Sequence, residues 1–293
     1  MDAMLMREIA KAQDAFQPVE RIEGALDCGA VVVCDHAANA FPPGYGALGL
    51  PRAALERHIA YDIGAAHLAR RLAARLGAPA ILSTFSRLLI DANRGADDPT
   101  LVMRISDGAL VPGNARISAG EIERRRRLYW APYRAAIEAT IEAMLATGEP
   151  PAILSIHSFT PSWRGVPRPW KVGVLWDADP RLPEPLMRAL ASEEDLGEEE
   201  IGDNEPYDGA LAGDTINAVA TSRGLANALI EVRQDLIADR ESAESWADRL
   251  ARIVAPLIAP PESRAPQDWG SRVGGARKAL VGSPASVGDA VTA

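Results

Sequence analysis

The stretch "PPAILSIHSF" at residues 150–159 decides the predicted fold of this 293-residue chain. Its apolar residues lack the strict alternation of a half-exposed strand, and Pro161 follows it shortly. Continuous apolar runs of this length are typical of strands buried in a parallel or mixed sheet. The run stops at His157, one of four histidines in the chain. This histidine is therefore expected where a buried strand meets a loop.

Predicted strands and helices alternate along the rest of the chain. Further strands are predicted within residues 31–34, 78–86, 87–100, 170–177 and 225–237, and helices within residues 50–77, 119–147, 182–194, 213–223 and 241–258. The alternation predicts an α/β protein with a central mixed sheet covered by helices on both faces, a three-layer α/β/α fold. One domain is predicted over residues 1–259. Residues 260–293 are rich in Pro, Gly, Ser and Ala and are expected to form a disordered tail.

Composition excludes several classes of protein. The formal net charge of -9 argues against a nucleic-acid partner, which would require a basic face for the phosphates. No apolar run approaches the roughly 20 residues that span a bilayer, so no membrane partner is expected. The chain has two cysteines, and residues 1–16 resemble an amphipathic helix more than a signal peptide. A cytoplasmic protein is therefore expected; its oligomeric state is not indicated.

Polar residues follow several of the predicted strands, at the end where ligands bind in open α/β sheets. They are Asp35 and His36, Asn93 and Arg94, His157 and Ser158, and Glu231 and Arg233. Two histidines with a third ligand can hold Zn²⁺ and leave a position open for water. A nearby carboxylate can take a proton from that water, and an arginine can grip a substrate carboxylate through two hydrogen bonds. The set is therefore suited to metal-dependent hydrolysis.

Each of these residues also has a purely structural interpretation. A histidine at a strand end is more often a satisfied polar group than a metal ligand, although the pair His36 and His157 is stronger evidence than either alone. Glu231 and Arg233 can form a surface ion pair, and asparagines such as Asn93 often shape turns.

Six stretches, taken together, resemble the N-formylglutamate amidohydrolase family. They are "CDHAANAFP", "HIAYDIGA", "LIDANR", "ILSIHSF", "GDNEPYDG" and "LIEVRQDLI", and they occur in this order between about residues 25 and 258. The family is related to the zinc carboxypeptidases, so the resemblance implies a zinc-carboxypeptidase-like fold and a divalent metal, most simply zinc. It further implies that a small substrate carrying carboxylates, N-formyl-L-glutamate, is hydrolysed to formate and L-glutamate.

The resemblance also assigns roles to individual residues. His36 would be the first metal ligand, His157 the last, and Glu231 the general base, whereas Asn93 and Arg94 would hold a substrate carboxylate. The carboxypeptidase pattern has a glutamate ligand three residues after the first histidine, but this chain has Asn39 there. An amide is a poorer zinc ligand than a carboxylate, so the third ligand stays open between Asn39, Asp35 and Asp62.

Two further segments are expected near the substrate. In "GDNEPYDG", Asn204 and Tyr207 would donate hydrogen bonds from a loop over the substrate, although the segment is equally typical of an ordinary surface loop. In "SWRGVPRPW", Arg164 or Arg168 could contact a second substrate carboxylate.

Three other functions remain open at this point. The chain could hydrolyse another N-acyl amino acid or a small peptide on the same fold, because fold does not fix function. It could also bind acidic small molecules without catalysis, which the asparagine at position 39 favours. A hydrolase that uses Cys34 is disfavoured, because this cysteine lies within an apolar run where thiols are usually inert.

Overall fold

The computed structural model of the chain describes residues 15–273. Most of the helix predicted at residues 1–16, and residues 274–293 of the predicted tail, lie outside the described residues.

A mixed sheet of seven strands forms the centre of the molecule. Its strands are β1 (Val19–Ile22), β2 (Ala30–Cys34), β3 (Ala80–Ser83), β6 (Ala152–Phe159), β9 (Val172–Leu175), β10 (Ile201–Asp203) and β11 (Asn227–Arg233), in the order β1-β3-β2-β6-β11-β9-β10. The four central strands β3, β2, β6 and β11 are parallel to one another. The strands β1 and β9 pair antiparallel with this central set, and β10 pairs parallel with β9. Two short hairpins, β4 (Ile105–Ser106) with β5 (Ala109–Leu110) and β7 (Ser162–Trp163) with β8 (Val166–Pro167), lie outside the sheet.

Helices cover both faces of the sheet. They are α1 (Arg52–Leu55), α2 (Ala65–Leu76), α3 (Ala119–Arg125), α4 (Ala131–Leu145), α5 (Pro183–Leu190), α6 (Thr215–Val219), α7 (Arg240–Ile258) and α8 (Pro261–Arg264), and a π-helical turn, Arg126–Trp130, joins α3 to α4. One core contains apolar residues of α2, α5 and α7, and the other contains residues of α4 and α6 together with loop residues 85–102. The predicted three-layer arrangement around a mixed sheet is confirmed. None of the helices in residues 15–273 is long and apolar enough to cross a bilayer.

The strand predicted within residues 87–100 is wrong, because these residues form turns and loop. Its apolar residues are nevertheless fully buried: Leu88 packs in a small cluster with Ile59 and Val111, whereas Leu89 and Ile90 pack in the larger core beneath α4. This loop has the apolar composition of a buried strand but not the hydrogen bonds of one. The pattern of apolar residues alone therefore could not distinguish a buried loop from a buried strand.

The helix predicted within residues 50–77 is divided by a loop at residues 56–64. The backbone amide of Asp62 donates to the carbonyl of His36, at 2.9 Å, which ties this loop to the end of β2. Gly64 follows with a φ of 82°, and α2 starts at the next residue. The interruption therefore brings Asp62 to the edge of the sheet, which a continuous helix would not do.

Residues 260–273 differ from the predicted tail, because they pack on the domain. Arg264 is buried, and its guanidinium donates to the carbonyl oxygens of Ile258 and Pro150, both at 2.6 Å. The backbone amide of Gln267 donates to the carbonyl of Gly224. Backbone acceptors in the domain therefore hold a segment that has few apolar residues of its own.

Candidate metal centre and substrate cavity

Three parallel neighbouring strands place the candidate side chains at one edge of the sheet. Glu231 of β11 lies directly opposite His157 of β6 in the register, and Val33 of β2 lies opposite Ser155. The chain leaves β2 immediately before Asp35 and His36, at the level of His157. Because side chains alternate along a strand, His157 and Glu231 project from the same face of the sheet, the face of Ser155.

His36, Asp62 and His157 converge on one point. One possible ligand atom from each of them lies within 4.8 Å of the other two, and all three residues are buried. The carboxylate oxygen Oδ2 of Asp62 lies 3.3 Å from Nδ1 of His36 and 2.8 Å from Nδ1 of His157. The two imidazole rings are edge to face, with centroids 5.0 Å apart. Two imidazole nitrogens and a carboxylate form a common ligand set for divalent metals.

A second carboxylate stands behind each imidazole. Nε2 of His36 lies 2.7 Å from Oδ1 of Asp91, and Nε2 of His157 lies 3.2 Å from Oδ2 of Asp35. Because an ionised carboxylate can only accept, Asp91 and Asp35 favour a proton on each Nε2. Each Nδ1 faces Asp62 instead, where a metal ion can take the place of a proton. Such carboxylate–histidine pairs orient metal ligands in known metal sites. The residues present therefore fit a divalent metal.

The electrostatics of the cluster also favour positive charge. Burial alone would lower the pKa of His157, but its hydrogen bonds to Asp35 and Asp62 outweigh burial and hold this pKa well above its ordinary value. Burial would raise the pKa of Asp91, but the guanidinium of Arg87 and the imidazole of His36 hold it well below its ordinary value. The carboxylates thus stay ionised and stabilise a cation between them, whether a proton or a metal ion.

Glu231 is the one candidate whose carboxylate is not fully engaged. It is 6% exposed, and within residues 15–273 its Oε2 is buried with no hydrogen-bond partner. Burial raises the pKa of Glu231 to about 7. A carboxylate that titrates near neutral pH and keeps a free oxygen beside a metal-ligand set has the properties of a general base.

The cluster opens into a cavity of about 240 Å³. Its lining combines the cluster and Glu231 with cationic, acidic, polar and apolar side chains, among them Arg87, Asn93, Arg94, Phe159, Thr160, Leu175, Tyr207, Asp208, Leu211, Asp214 and Leu229. Arg94 donates to the hydroxyl of Thr100 and to its neighbour's carbonyl. Asn93 accepts a hydrogen bond from the backbone amide of Thr215, which fixes it at the cavity wall. The cavity has the size and polarity suited to a small charged molecule.

The structure separates the three residues considered for the third ligand position. Asp62 lies in the cluster, and Asp35 lies behind His157, where it also accepts a hydrogen bond from Thr215 Oγ1 at 2.5 Å. Asn39 lies outside the cluster, and its side-chain amide donates to the carbonyl of Leu55 at 2.8 Å. Asn39, three residues after His36, therefore stabilises the loop through its contact with Leu55.

Of the other residues predicted to contact the substrate, some lie at the cavity and others do not. Tyr207 lines the cavity. Asn204 accepts hydrogen bonds from the backbone amides of Trp176 and Gly209, so it shapes the loop that carries Tyr207. Arg164 is exposed in the turn of the β7–β8 hairpin and lies over the ring of Trp163.

Sequence reasoning gave no role to Asp91 or Arg87. Arg87 donates to Asp91 through Nε and Nη2, at 3.1 and 2.8 Å, and also lies 3.5 Å from Asp62. The spacing of four residues between an arginine and an aspartate was a visible signal of an ion pair. Their connection to His36 was not visible, because it depends on the turns at residues 87–94.

Comparison with known proteins shows what the chain resembles. The sequence model of the N-formylglutamate amidohydrolase family matches residues 28–238. The structure is similar to that of the gene product Atu2144 from Agrobacterium tumefaciens, with a TM-score of 0.78 and 31% identity over 85% of this chain and 97% of that one. It also resembles the N-formylglutamate amidohydrolase from Ralstonia eutropha JMP134, with a TM-score of 0.60 and 20% identity over 83% of this chain and 96% of that one. No curated protein sequence matches the chain.

Proposed function

Because the chain belongs to the N-formylglutamate amidohydrolase family, we propose that it hydrolyses the amide bond of an N-acyl acidic amino acid, with N-formyl-L-glutamate as substrate and formate and L-glutamate as products. The observation that carries the proposal is the convergence of His36, Asp62 and His157 beside the free carboxylate oxygen of Glu231, in a cavity lined by Arg94.

We assign the metal site to His36, His157 and Asp62, with Asp62 as the third ligand. Two nitrogens and one carboxylate oxygen are the ligands of many catalytic zinc sites, so zinc is the metal we propose. When bound, the ion supplies Lewis acidity toward the amide oxygen and lowers the pKa of water. Asp35 and Asp91 hold the imidazoles in orientation and keep the proton on Nε2 of each.

Glu231 is the proposed general base. Its Oε2 takes a proton from the attacking water, and the same oxygen delivers the proton to the nitrogen of the departing amino acid. Burial raises the pKa of this carboxyl, which strengthens it as a proton acceptor.

Arg94 is proposed to bind a carboxylate of the substrate, with Asn93 beside it and Tyr207 on the opposite loop. Within residues 15–273 the hydrogen bonds of Arg94 are to a hydroxyl and a backbone carbonyl and not to a carboxylate, so its guanidinium can pair with an anionic ligand. Such an anchor positions the amide carbon against the base and the metal site, which raises the effective concentration of the reacting groups.

Hydrolysis of N-formyl-L-glutamate before and after removal of metal with a chelator, followed by re-addition of zinc, tests the proposal. We expect formate release that is lost on chelation and restored by zinc. A purified protein that contains stoichiometric zinc but acts only on N-acetyl or N-succinyl amino acids would require another substrate. A protein that retains no metal and hydrolyses none of these compounds would contradict the proposal and favour a non-catalytic binding protein.

A further inference from the structure

Arg168 occupies an unusual position between the β7–β8 hairpin and the cavity. It follows the hairpin directly, and its guanidinium carbon lies 5.1 Å from the ring centroid of Tyr207 and 5.7 Å from those of Phe159 and Trp163. A cation within about 6 Å of a ring is attracted to its π-electrons. Three rings therefore hold this guanidinium in place, although no carboxylate among residues 15–273 neutralises it.

The hydrogen bonds of Arg168 connect it to the wall of the cavity. Nη1 donates to the carbonyl and the hydroxyl of Thr160, at 3.2 and 2.9 Å, and to the hydroxyl of Tyr207 at 3.3 Å. Thr160, Tyr207 and Phe159 all line the cavity. Nη1 makes all of these bonds, and Nε and Nη2 have no acceptor among the described residues. Arg168 does not itself line the cavity, so it would reach a ligand past the side chains of Thr160 and Tyr207.

The charges around the cavity support a second anion position. Arg87 is committed to Asp91 and Asp62. Within residues 15–273, Arg94 and Arg168 have no ion pair with a carboxylate, and Arg94 lines the cavity while Arg168 contacts three of its lining residues. An N-acyl glutamate carries two carboxylates, one on the α-carbon and one on the side chain. Two guanidiniums that have no carboxylate partner within residues 15–273 match that number of charges.

We propose that Arg168, held by Phe159, Trp163 and Tyr207, binds the side-chain carboxylate of the substrate and selects acidic N-acyl amino acids. This inference rests on the proposed function and extends it to the substrate class. Arg164 does not take this role, because it is exposed in the hairpin turn and lies over Trp163 alone. A planar guanidinium fixed by aromatic rings loses little conformational freedom when it binds a carboxylate, which favours selectivity.

The test compares N-formyl-L-glutamate with N-formyl-L-glutamine, which differ in a single charge. For Arg168→Met we expect KM for N-formyl-L-glutamate to rise about 10- to 100-fold, the effect of losing one charge-assisted contact. We expect KM for N-formyl-L-glutamine to change less than about threefold. Arg168→Lys should lie between the wild type and Arg168→Met, because it keeps the charge but not the planar geometry. Arg164→Met is the matched control and should leave both KM values unchanged.

Binding of the product provides a measurement that needs no turnover. Calorimetry should show that Arg168→Met weakens binding of L-glutamate much more than binding of L-glutamine. An equal loss for the two compounds, in KM and in binding, would mean that Arg168 only supports the cavity wall and would overturn the inference. Failure of the wild-type enzyme to hydrolyse either formyl compound would contradict the proposed function, whereas unequal binding of glutamate and glutamine would still support the role of Arg168.

Discussion

At the scale of single residues, the chemistry depends on how buried polar groups are satisfied. His157 is buried, and an imidazole that lost its solvent without partners would be costly to the fold. Asp62 and Asp35 provide a partner for each of its ring nitrogens. Glu231 stands directly opposite it, and one of its oxygens has no partner in the described part of the chain. Histidines whose ring nitrogens all have partners are suited to binding a metal ion. A neighbouring carboxylate with a free oxygen is suited to accepting a proton in the reaction.

Substitution of Glu231 by Gln tests this division of roles. We expect turnover to fall by about 10²- to 10⁴-fold, because the amide cannot accept the proton of water. Zinc content should stay stoichiometric, because the ligand set is unchanged. Steady-state kinetics with metal analysis of the same preparation would measure both. Glu123→Gln, at an exposed surface ion pair with Arg126, is the matched control and should retain wild-type turnover. Near-normal turnover of Glu231→Gln would show that another group is the base.

At the scale of elements, the helix α2 is important because of where it begins. Both of its ends carry a glycine in the left-handed region, Gly64 with a φ of 82° and Gly77 with a φ of 64°. A side chain at position 77 would meet open space, whereas a Cβ at position 64 would lie 2.0 Å from the carbonyl oxygen of Ile237. Only the first glycine is therefore required by packing, and it lies two residues after the proposed metal ligand Asp62.

The two glycines provide a matched pair of variants. Gly77→Ala should destabilise the protein by about 1 kcal/mol, the cost of the left-handed conformation for a residue with a Cβ. Gly64→Ala should cost about 1–3 kcal/mol more, because backbone must move to relieve the clash. It should also weaken zinc binding by about tenfold or more, because the loop with Asp62 moves away from the histidines. Urea denaturation and competition with a zinc chelator would measure these effects. Equal zinc affinities in the two variants would show that the start of α2 does not determine the position of Asp62.

At the scale of the whole molecule, the segment after α8 is connected to the cavity through one lining residue, Asp208. Arg272 donates to the backbone carbonyls of Asp177 and Trp176 at 3.0 and 2.8 Å, and its own amide donates to the carboxylate of Asp177. The guanidinium, anchored in this way, makes two hydrogen bonds to the carboxylate of Asp208, which lines the cavity. Arg272 thus neutralises an acidic group in the lining of the cavity proposed to bind an acidic substrate.

Substitution of Arg272 by Ala is expected to raise KM for N-formyl-L-glutamate about three- to tenfold, with little change in kcat. The pair is partly exposed, so screening by solvent limits the effect. The unneutralised Asp208 would then repel the substrate, and a second substitution, Asp208→Asn, should restore most of the loss. Steady-state kinetics at low and at high salt would show whether the effect is electrostatic. If the double variant keeps the high KM of Arg272→Ala, the segment acts by holding the loop and not by its charge.

The sequence by itself determined the layered α/β fold. Buried strands such as residues 152–159 carry apolar residues continuously, and the helices between them carry apolar residues at helical spacing, so the pattern is local and can be recognised without coordinates. The fold prediction is confirmed, and the family follows from motifs in a fixed order. The strand predicted within residues 87–100 shows the limit of this reasoning, because burial of an apolar run does not require a sheet partner.

Only the tertiary structure decided how the polar residues are arranged. His36, Asp62 and His157 are separated by 26 and 95 residues along the chain, and no local pattern fixes which carboxylate lies between the two imidazoles. That choice depends on the loop that interrupts the helix predicted within residues 50–77 and on the register of three parallel strands. The contacts of Arg168 and Arg272 with the cavity wall are decided in the same way. Secondary structure depends mainly on neighbouring residues, whereas the site depends on distances between residues that are far apart in the chain.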